Sequence, residues 1–309
     1  MKWIYLLVIG LFATFFSGCE QEFIPDISTA PADIVVEGYI EAGPESLPPY
    51  VILTHSIGFF SEINPQVLSN LFVHNAKVVI NDGKLDYPLT EICFNDLTPD
   101  QKMTFGKLLN VNLDSANLNF CVYLDPSFKL KGEANKKYEL KIEAEGKSLS
   151  STTSIPNSVG LDSIWFEQPP GKPSDTLRRM LCYITDPINE DNYYRYFTSV
   201  NNAPFISGRN SVTDDKFFNG LTFKFPLVKS EEPGAKFDPI TFGLYRIGDT
   251  AQVKWINIDK DYYDFFNTLE FNRANQGPFS SYTRIKTNIK GGLGIWGGSN
   301  VQIYTKKVK

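Results

Sequence analysis

The sequence predicts a mainly β protein with two domains, the second of which carries one packed α-helix. Short runs of β-branched and aromatic residues, with apolar and polar side chains alternating, recur along most of the 309 residues. Clusters of Gly, Pro, Asn and Asp separate these runs, as turn residues separate strands. A helical pattern interrupts the series near residues 97–109 and again near 260–273.

The first predicted domain, residues 32–156, has the pattern of a β-sandwich. The segment Asn81-Asp82-Gly83 lies between two strand-like runs and predicts a tight hairpin, because Gly tolerates positive φ. About seven short strands in this domain favour an immunoglobulin-like or transthyretin-like topology. The clearest strand candidates are DIVVEGYIE (33–41), PYVILTHSI (49–57), AKVVIND (76–82), KYELKIEAE (137–145) and SLSSTTSIP (148–156).

A small helical insertion is predicted within this domain at LTPDQKMTFGKLL (97–109). Thr98 suits the N-cap and Pro99 the first helical position, while Gln101 completes a capping box. The apolar face of this helix is modest. Insertions of this kind either make contacts or decorate the rim of a sandwich, and the residues leave both interpretations open.

Three cysteines lie in the predicted domains, and two of them flank the helical insertion. We predict a disulfide between Cys93 and Cys121, which by loop-closure entropy contributes about 3 kcal/mol to stability. Cys182 lies in a strand-like run and is predicted to be a small buried apolar residue. Because no CxxC motif is present, neither a redox motif of that kind nor a zinc knuckle is predicted.

The second predicted domain, residues 157–309, continues the strand series and contains one clear helix. Asp259 is placed to cap a helix near 260–273, in which four apolar side chains recur at helical spacing. This stripe predicts docking of the helix on a sheet, with a ligand-stacking aromatic ladder as the alternative. The stripe consists of Tyr262, Phe265, Phe266 and Leu269. The strand candidates are LDSIWFEQ (161–168), TLRRMLCYITD (176–186), NYYRYFTSVNN (192–202), FNGLTFKFPLV (218–228), ITFGLYRIG (240–248) and AQVKWINID (251–259).

The N-terminal segment, residues 1–18, has the features of a lipoprotein signal peptide. Lys2 supplies a positive start, and the apolar run 4–16 follows. A helix of that length spans about 20 Å, less than the roughly 30 Å hydrocarbon core of a bilayer. Ser17-Gly18 directly before Cys19 predicts acylation of the Cys19 thiol and cleavage on its amino side. An ordinary signal peptide and an N-terminal anchor helix are the alternatives.

Residues 19–31 are predicted to form a tether between the lipid and the folded domains. The acidic stretch 20–22 (EQE) fits an export tag that directs a lipoprotein to the cell surface, and a plain solvated tether is the alternative. FIPDISTAP (23–31) has two prolines and no hydrophobic periodicity, as linkers do. Residues 20–22 resemble the acidic tag of Bacteroidota surface lipoproteins, and this resemblance implies an outer-membrane location with the body facing the exterior.

The overall charge balance excludes one class of partner. The formal net charge is −5 at pH 7, and no block of basic residues is present. A protein that binds nucleic acid needs a positive surface, so nucleic acid is not a predicted partner. The apolar content is that of a globular protein, which argues against disorder.

The glycine-rich stretch KGGLGIWGG (290–298) does not predict a phosphate site. Phosphate-binding loops join a strand to a helix, whereas SNVQIYTKK follows here with a strand pattern. The expectation is instead that four glycines permit tight turns around a short LGIW strand. These glycines are Gly291, Gly292, Gly297 and Gly298.

No catalytic or metal-binding motif stands out among the titratable residues. His55 and His74 each lack a second His or Cys at metal-ligand spacing, so no metal site and no cofactor is predicted. A Ser-His-acid triad stays open because its members need only meet in space, but GxSxG and HExxH are absent from the sequence. The acidic pairs Asp214-Asp215 and Glu231-Glu232 are interpreted as solvated turns. Asp82, Asp86 and Asp96 lack the spacing of a calcium loop.

Several stretches resemble the Bacteroidota outer-membrane lipoproteins grouped as domain of unknown function 4249. The resemblance spans nearly the whole chain after residue 18, and it implies a surface lipoprotein whose gene lies beside that of a TonB-dependent outer-membrane transporter. It carries over no catalytic residue. The stretches are Cys19, DIVVEGYIEAG, NAKVVINDG, KKYELKIEAEGKSLSSTTSIP, LDSIWFE and PFSSYTRIKTNIKGGLGIWGG (278–298).

These observations together predict a non-catalytic accessory or ligand-binding subunit of a TonB-dependent transporter or a related envelope complex, bound to the lipid bilayer through acylated Cys19. A structural or adhesive surface protein is the alternative, and a surface hydrolase is the third hypothesis. Aromatic residues of the second domain are candidates for a ligand or partner surface, with burial in the core as the competing interpretation. The candidates are Trp165, Tyr193, Tyr194, Trp255 and Trp296.

Overall fold

The computed structural model describes residues 32–57, 64, 67–68, 70–109, 120–232, 234–275 and 283–309. The predicted signal peptide, Cys19 and the tether lie outside the described residues. The described residues belong to one compact unit. None of the helices described is long and apolar enough to cross a membrane.

The structure is mainly β with one packed helix, which confirms the predicted fold class. A 3₁₀ turn at Phe94–Asp96 and helix α1 at Pro99–Leu109 form the predicted insertion, and helix α2 is Lys260–Ala274. The first seven strands are β1 Ile34–Ala42, β2 Tyr50–His55, β3 Lys77–Asn81, β4 Asp86–Cys93, β5 Cys121–Leu124, β6 Lys137–Ala144 and β7 Lys147–Ser154. The others are β8 Leu161–Glu167, β9 Leu177–Thr185, β10 Tyr193–Val200, β11 Ile206–Asp214, β12 Thr222–Pro226, β13 Tyr245–Arg246, β14 Thr250–Ile258 and β15 Leu293–Lys307.

Two sheets account for the strands of the described chain. The larger has eleven strands in the order β11-β10-β14-β15-β1-β2-β5-β4-β3-β6-β7. The smaller contains β12, β9 and β13, with β8 paired to β9. The predicted hairpin at Asn81–Gly83 joins β3 to β4, and Gly83 has φ +87°. The immunoglobulin-like or transthyretin-like topology stays a prediction.

Strand β15 connects the two predicted domains. Its first residues, Leu293–Asn300, pair with β1 in parallel, and Ser299–Lys307 pair with β14 in antiparallel fashion. The last strand of the chain is therefore the central link between strands from both segments. The predicted domain division near residue 156 stays a prediction. Close to it in sequence, Ile155 belongs to one core cluster and Val159 to another.

The hydrophobic core of the described residues consists of three clusters. The first draws on β1–β3, β6 and β7 and includes Ile289 and Trp296 from the C-terminal segment. The second, between residues 159 and 308, surrounds Tyr194 and Trp255. The third lies under helix α2. Alternation along the strands directs one row of side chains into these clusters, which is why the polar residues of the same strands face outward.

The expected role of the glycine-rich stretch is wrong for two of its four residues. Gly291, with φ +82°, occupies a turn, but Gly297 and Gly298 lie within β15. A Cβ on Gly297 would approach the Tyr262 ring to 2.7 Å, and one on Gly298 would approach the Ser154 carbonyl oxygen to 2.6 Å. These glycines are required by close packing inside the fold rather than by turns.

Helix α2 docks on the large sheet as its stripe predicts. The Asp259 side chain accepts a hydrogen bond from the Tyr262 backbone N–H at 2.9 Å and so caps the helix. The same carboxylate accepts bonds from the Thr153 hydroxyl and the Ser154 N–H, tying the cap to β7. Tyr262 and Phe266 are buried against the sheet. The ladder alternative therefore does not apply to these two rings.

Candidate functional site

The two predicted disulfide residues meet across neighbouring strands. Cys93 on β4 and Cys121 on β5 are register partners, and their sulfurs are bonded at 2.05 Å. The bond closes the loop that contains helix α1. Cys182 is the free cysteine of the described residues, and burial raises the pKa of its thiol to about 12. Such a thiol is protonated and inert at neutral pH.

Three of the five aromatic residues predicted for a ligand surface are buried, so that prediction is wrong for them. Tyr194, Trp255 and Trp296 are each 1 % exposed or less. Tyr194 stacks on Trp255 with 5.0 Å between ring centroids. Each tryptophan satisfies its indole N–H internally, Trp255 on the Val159 carbonyl and Trp296 on the Tyr138 carbonyl. A buried ring with a satisfied N–H stabilises the core and cannot meet a ligand.

The remaining two aromatic candidates are half-buried, and only one lies on an open face. Tyr193 packs against Tyr263 of helix α2, with 5.0 Å between centroids. Trp165 lies on the outer face of the smaller sheet, together with Glu167 on the same strand. The register of β8, β9 and β12 brings Arg179, Tyr183 and Lys224 to that face.

We call these five side chains, Trp165, Glu167, Arg179, Tyr183 and Lys224, the Trp165 face. Glu167 accepts hydrogen bonds from the Trp165 indole at 2.9 Å, from Arg179 at 2.9 Å and from Lys224 at 3.1 Å. These three bonds lower the pKa of Glu167 to about 2. Trp165 also stacks on Tyr183 and lies 5.1 Å from the Lys224 ammonium. The face is thus a fixed, mixed aromatic and charged surface.

Exposed apolar side chains lie before and after β12, in two groups. We call five of them the apolar rim. Phe217 is 90 % exposed, and Ile240 is 75 % exposed. The other members are Ile188, Leu221 and Phe237. Ile188 lies next to Gly220, where an added Cβ would come within 3.0 Å of it, and Phe237 contacts Phe242 at 5.2 Å between centroids. Large exposed apolar residues on either side of one strand are candidates for an interaction surface.

Both histidines have acidic partners. His55 Nε2 lies 3.0 Å from Glu145, and its Nδ1 lies 3.0 Å from the Asn70 carbonyl. His74 Nδ1 lies 2.5 Å from Glu91. Among the described residues neither ring is hydrogen-bonded to a serine hydroxyl. These contacts therefore give no support to the Ser-His-acid triad that the sequence left open.

The acidic pairs differ from their predicted roles in one respect. Asp215 is 2 % exposed and accepts the Asn192 N–H at 2.8 Å, so the interpretation of this residue as a solvated turn is wrong. The reason is that the Asp215 carboxylate, just after β11, satisfies the buried backbone N–H of Asn192, just before β10. Asp214 pairs with Lys216, and Glu231 pairs with Lys229.

One cleft lies beside the start of helix α2. Its volume is about 460 Å³, and its lining residues are Asp261, Asp264, Arg284, Ile285, Lys286 and Thr287. Asp264 accepts ion pairs from Lys260 at 2.6 Å and from Lys286 at 2.9 Å. The lining holds two acidic and two basic side chains, so its formal charge is balanced.

The fold and its surfaces define a β-rich protein that exposes aromatic and apolar side chains around one small sheet. The chain belongs to the family described as domain of unknown function (DUF4249), whose model matches residues 20–305. The resemblance read from the sequence is thereby confirmed at the level of the family. No curated protein and no solved structure matches the chain.

Proposed function

We propose that the protein is a non-catalytic accessory or ligand-binding subunit of a TonB-dependent transporter or related envelope complex. It is anchored in the outer membrane by lipid on Cys19, with its body facing the exterior. The observation that carries this proposal is the apolar rim. Five large apolar side chains around β12 are more than half exposed in the described chain.

The rim has the composition of a binding surface rather than of an active site. When a partner covers exposed Phe, Ile and Leu side chains, the removal of apolar area from water contributes a free energy of about 25 cal/mol for each Å². Such anchors contribute most of the binding energy when charged and hydrogen-bonding groups border them and fix the orientation of the partner. The Trp165 face, on the same sheet as β12, supplies groups of that kind.

The lipid anchor gives this surface its location. A multiply acylated cysteine holds a protein on a bilayer durably, since each buried CH₂ contributes about 0.8 kcal/mol. Confinement of both partners to one membrane raises their effective concentration, so a modest interface is sufficient. An accessory subunit of a membrane transporter therefore needs only a few exposed apolar anchors, and the side chains of the apolar rim would supply them.

The apolar rim is tested by replacing Phe217 and Ile240 with serine. Each substitution is expected to weaken capture of the transporter by on the order of tenfold, because an anchor side chain contributes about 1–2 kcal/mol to binding. The measurement is quantitative mass spectrometry of the transporter that co-purifies from native membranes in mild detergent. Both side chains are exposed, so folding is expected to be unaffected.

Leu85→Ser is the matched control for this experiment. Leu85 is 61 % exposed at the β3–β4 hairpin, outside the rim, and its replacement is expected to leave capture unchanged. The proposal is contradicted if no TonB-dependent transporter co-purifies with the wild-type protein, the result expected of an adhesive surface protein. Capture by both serine variants at the wild-type level would equally contradict it.

A further inference from the structure

The Cys93–Cys121 bond lies within a cluster of metal-binding side chains that local sequence spacing does not show. In the β4–β5 ladder, Glu91 is opposite Tyr123 and Cys93 is opposite Cys121. Because side chains two residues apart on a strand share a face, all four project to the same side. His74, from the segment before β3, reaches this face and contacts Glu91.

The ligand atoms of this cluster lie close enough together to surround one metal ion. Ligand atoms of His74, Glu91, Cys93 and Cys121 all lie within 4.8 Å of one another. Around Zn²⁺, with bonds of about 2.0–2.3 Å, tetrahedral ligand atoms are roughly 3.3–3.8 Å apart. To enclose an ion, the two sulfurs would have to separate from their bonded distance of 2.05 Å, and His74 Nδ1 and Glu91 would have to move apart from 2.5 Å. Pairs near the 4.8 Å limit would have to approach by about an ångström.

The carboxylate of this cluster is held in position by its neighbours. Glu91 Oε2 accepts the Asn75 backbone N–H at 2.8 Å, and the Tyr123 hydroxyl lies 3.2 Å from the same oxygen. The other oxygen, Oε1, is left to face His74 Nδ1 and Cys93 Sγ. Such outer contacts orient the ligands of real metal sites. The His74 side chain is 43 % exposed, which gives an ion access from solvent.

We propose that reduction of the Cys93–Cys121 bond converts this cluster into a Zn²⁺ site with Cys93, Cys121, His74 and Glu91 as ligands. A dithiol reductant supplies two electrons and two protons, is itself oxidised to a disulfide, and leaves two cysteine thiols. Entry of Zn²⁺ then displaces both thiol protons and places two thiolates, one imidazole nitrogen and one carboxylate oxygen on the ion. Thiolate and imidazole donors are those that Zn²⁺ prefers.

The two states close the same loop by different means. In the oxidised chain the sulfur–sulfur bond joins residues 28 positions apart and encloses helix α1. In the reduced chain the ion joins the same two sulfurs and adds His74 and Glu91 to the link. The insertion is consequently fixed at its base in both redox states, and only reduced protein without metal loses the link.

The proposal is tested by titrating the purified protein with Co²⁺, in oxidised form and after reduction by a dithiol that is then removed anaerobically. Reduced protein is expected to bind one equivalent, with the near-ultraviolet absorption of thiolate–cobalt bonds and the visible bands of a tetrahedral ion. One equivalent of Zn²⁺ is expected to abolish both signals. Oxidised protein is expected to give neither signal, because disulfide sulfurs are not thiolates.

Variants identify the ligands. His74→Ala and Glu91→Gln are each expected to weaken Co²⁺ binding by about tenfold or more. His55→Ala is the matched control, because His55 pairs with Glu145 away from the cluster. The affinity of this variant for Co²⁺ is expected to equal that of the wild type. Circular dichroism of the double variant Cys93→Ser, Cys121→Ser shows whether the chain folds without the disulfide. This variant is expected to bind no Co²⁺.

Four results would overturn the proposal. They are absence of Co²⁺ binding by the reduced wild type, equal binding by the oxidised protein, and wild-type affinity in both His74→Ala and Glu91→Gln. The fourth is unfolding of the reduced chain that Zn²⁺ does not reverse. These outcomes are independent of the proposed transporter role, because none of them involves the apolar rim or the lipid.

Discussion

Replacing Trp296 with alanine is expected to lower the free energy of unfolding by about 3–5 kcal/mol, because the change leaves a cavity in a close-packed core. Trp296 is 0 % exposed and lies on β15 at the pairing with β1. Its register partner is Gly38, where an added Cβ would approach the Trp296 ring to 2.9 Å. The indole N–H donates to the Tyr138 carbonyl at 3.1 Å, so truncation also removes a buried hydrogen bond.

Trp165→Ala is the matched control for this substitution. Trp165 loses contacts with Tyr183 and Glu167 on an open face, and the expected cost is about 1 kcal/mol. Both variants are compared with the wild type by equilibrium urea denaturation of the purified protein. Equal destabilisation by the two substitutions would mean that β15 does not pack into the first core cluster as described.

Replacing Glu270 with alanine is expected to cost about 3–5 kcal/mol, because it leaves the Arg195 charge buried without its acidic partner. Arg195 on β10 and Glu270 on helix α2 are each less than 10 % exposed, and their charged groups lie 3.9 Å apart. Ser211 connects them: its hydroxyl accepts from Arg195 Nε at 2.9 Å, and its N–H donates to Glu270 at 2.8 Å. The Arg195 guanidinium also lies 3.5 Å from the centroid of the Phe266 ring.

Two variants separate this buried network from ordinary surface pairing. Glu270→Gln retains an acceptor for Ser211 and is expected to cost less than Glu270→Ala. Glu143→Ala removes the exposed Lys77–Glu143 pair, at 3.5 Å, and is expected to cost less than 1 kcal/mol. The measurement is again the midpoint and slope of urea unfolding. A cost for Glu270→Ala as small as that for Glu143→Ala would contradict the described docking of helix α2.

Local sequence patterns predicted the fold class and helix α2. Alternation of apolar and polar residues is a consequence of strand geometry and is visible without knowledge of the pairing. The Asp259 cap and the spacing of Tyr262 and Phe266 likewise depend only on residues within one helix. The parallel pairing of β15 with β1 joins segments about 260 residues apart along the chain, and no local pattern encodes it.

The roles of several residues depended on that long-range pairing and were therefore misjudged or missed. Gly297 and Gly298 resemble turn residues in sequence, yet they provide room for Tyr262 and Ser154 inside the fold. The meeting of His74 with Glu91 depends on the β4–β5 register and on the path of the chain into β3. The spacing of Glu91 and Cys93 by two residues on one strand is the sequence signal that could have placed both side chains on one face.

Long-range strand pairing also determines which aromatic candidates are buried and which are exposed. Tryptophan stabilises both protein cores and binding surfaces, so its presence in the sequence does not distinguish the two. The face of the strand on which it lies determines whether it is buried or exposed. Trp255 faces the core, while Trp165 faces outward beside Arg179 and Lys224. The apolar rim was not visible in the sequence, because exposed Phe217 and Ile240 occur within runs that resemble ordinary strands and loops.

The proposed role requires that lipid on Cys19 holds the protein at the membrane, and one measurement tests this directly. The protein is isolated from native membranes, and its N-terminal peptide is analysed by mass spectrometry. The expected result is a mature chain that begins at Cys19 and carries fatty acyl groups on that residue. A mature chain that begins at another residue without acyl groups, recovered from the soluble fraction, would contradict the account.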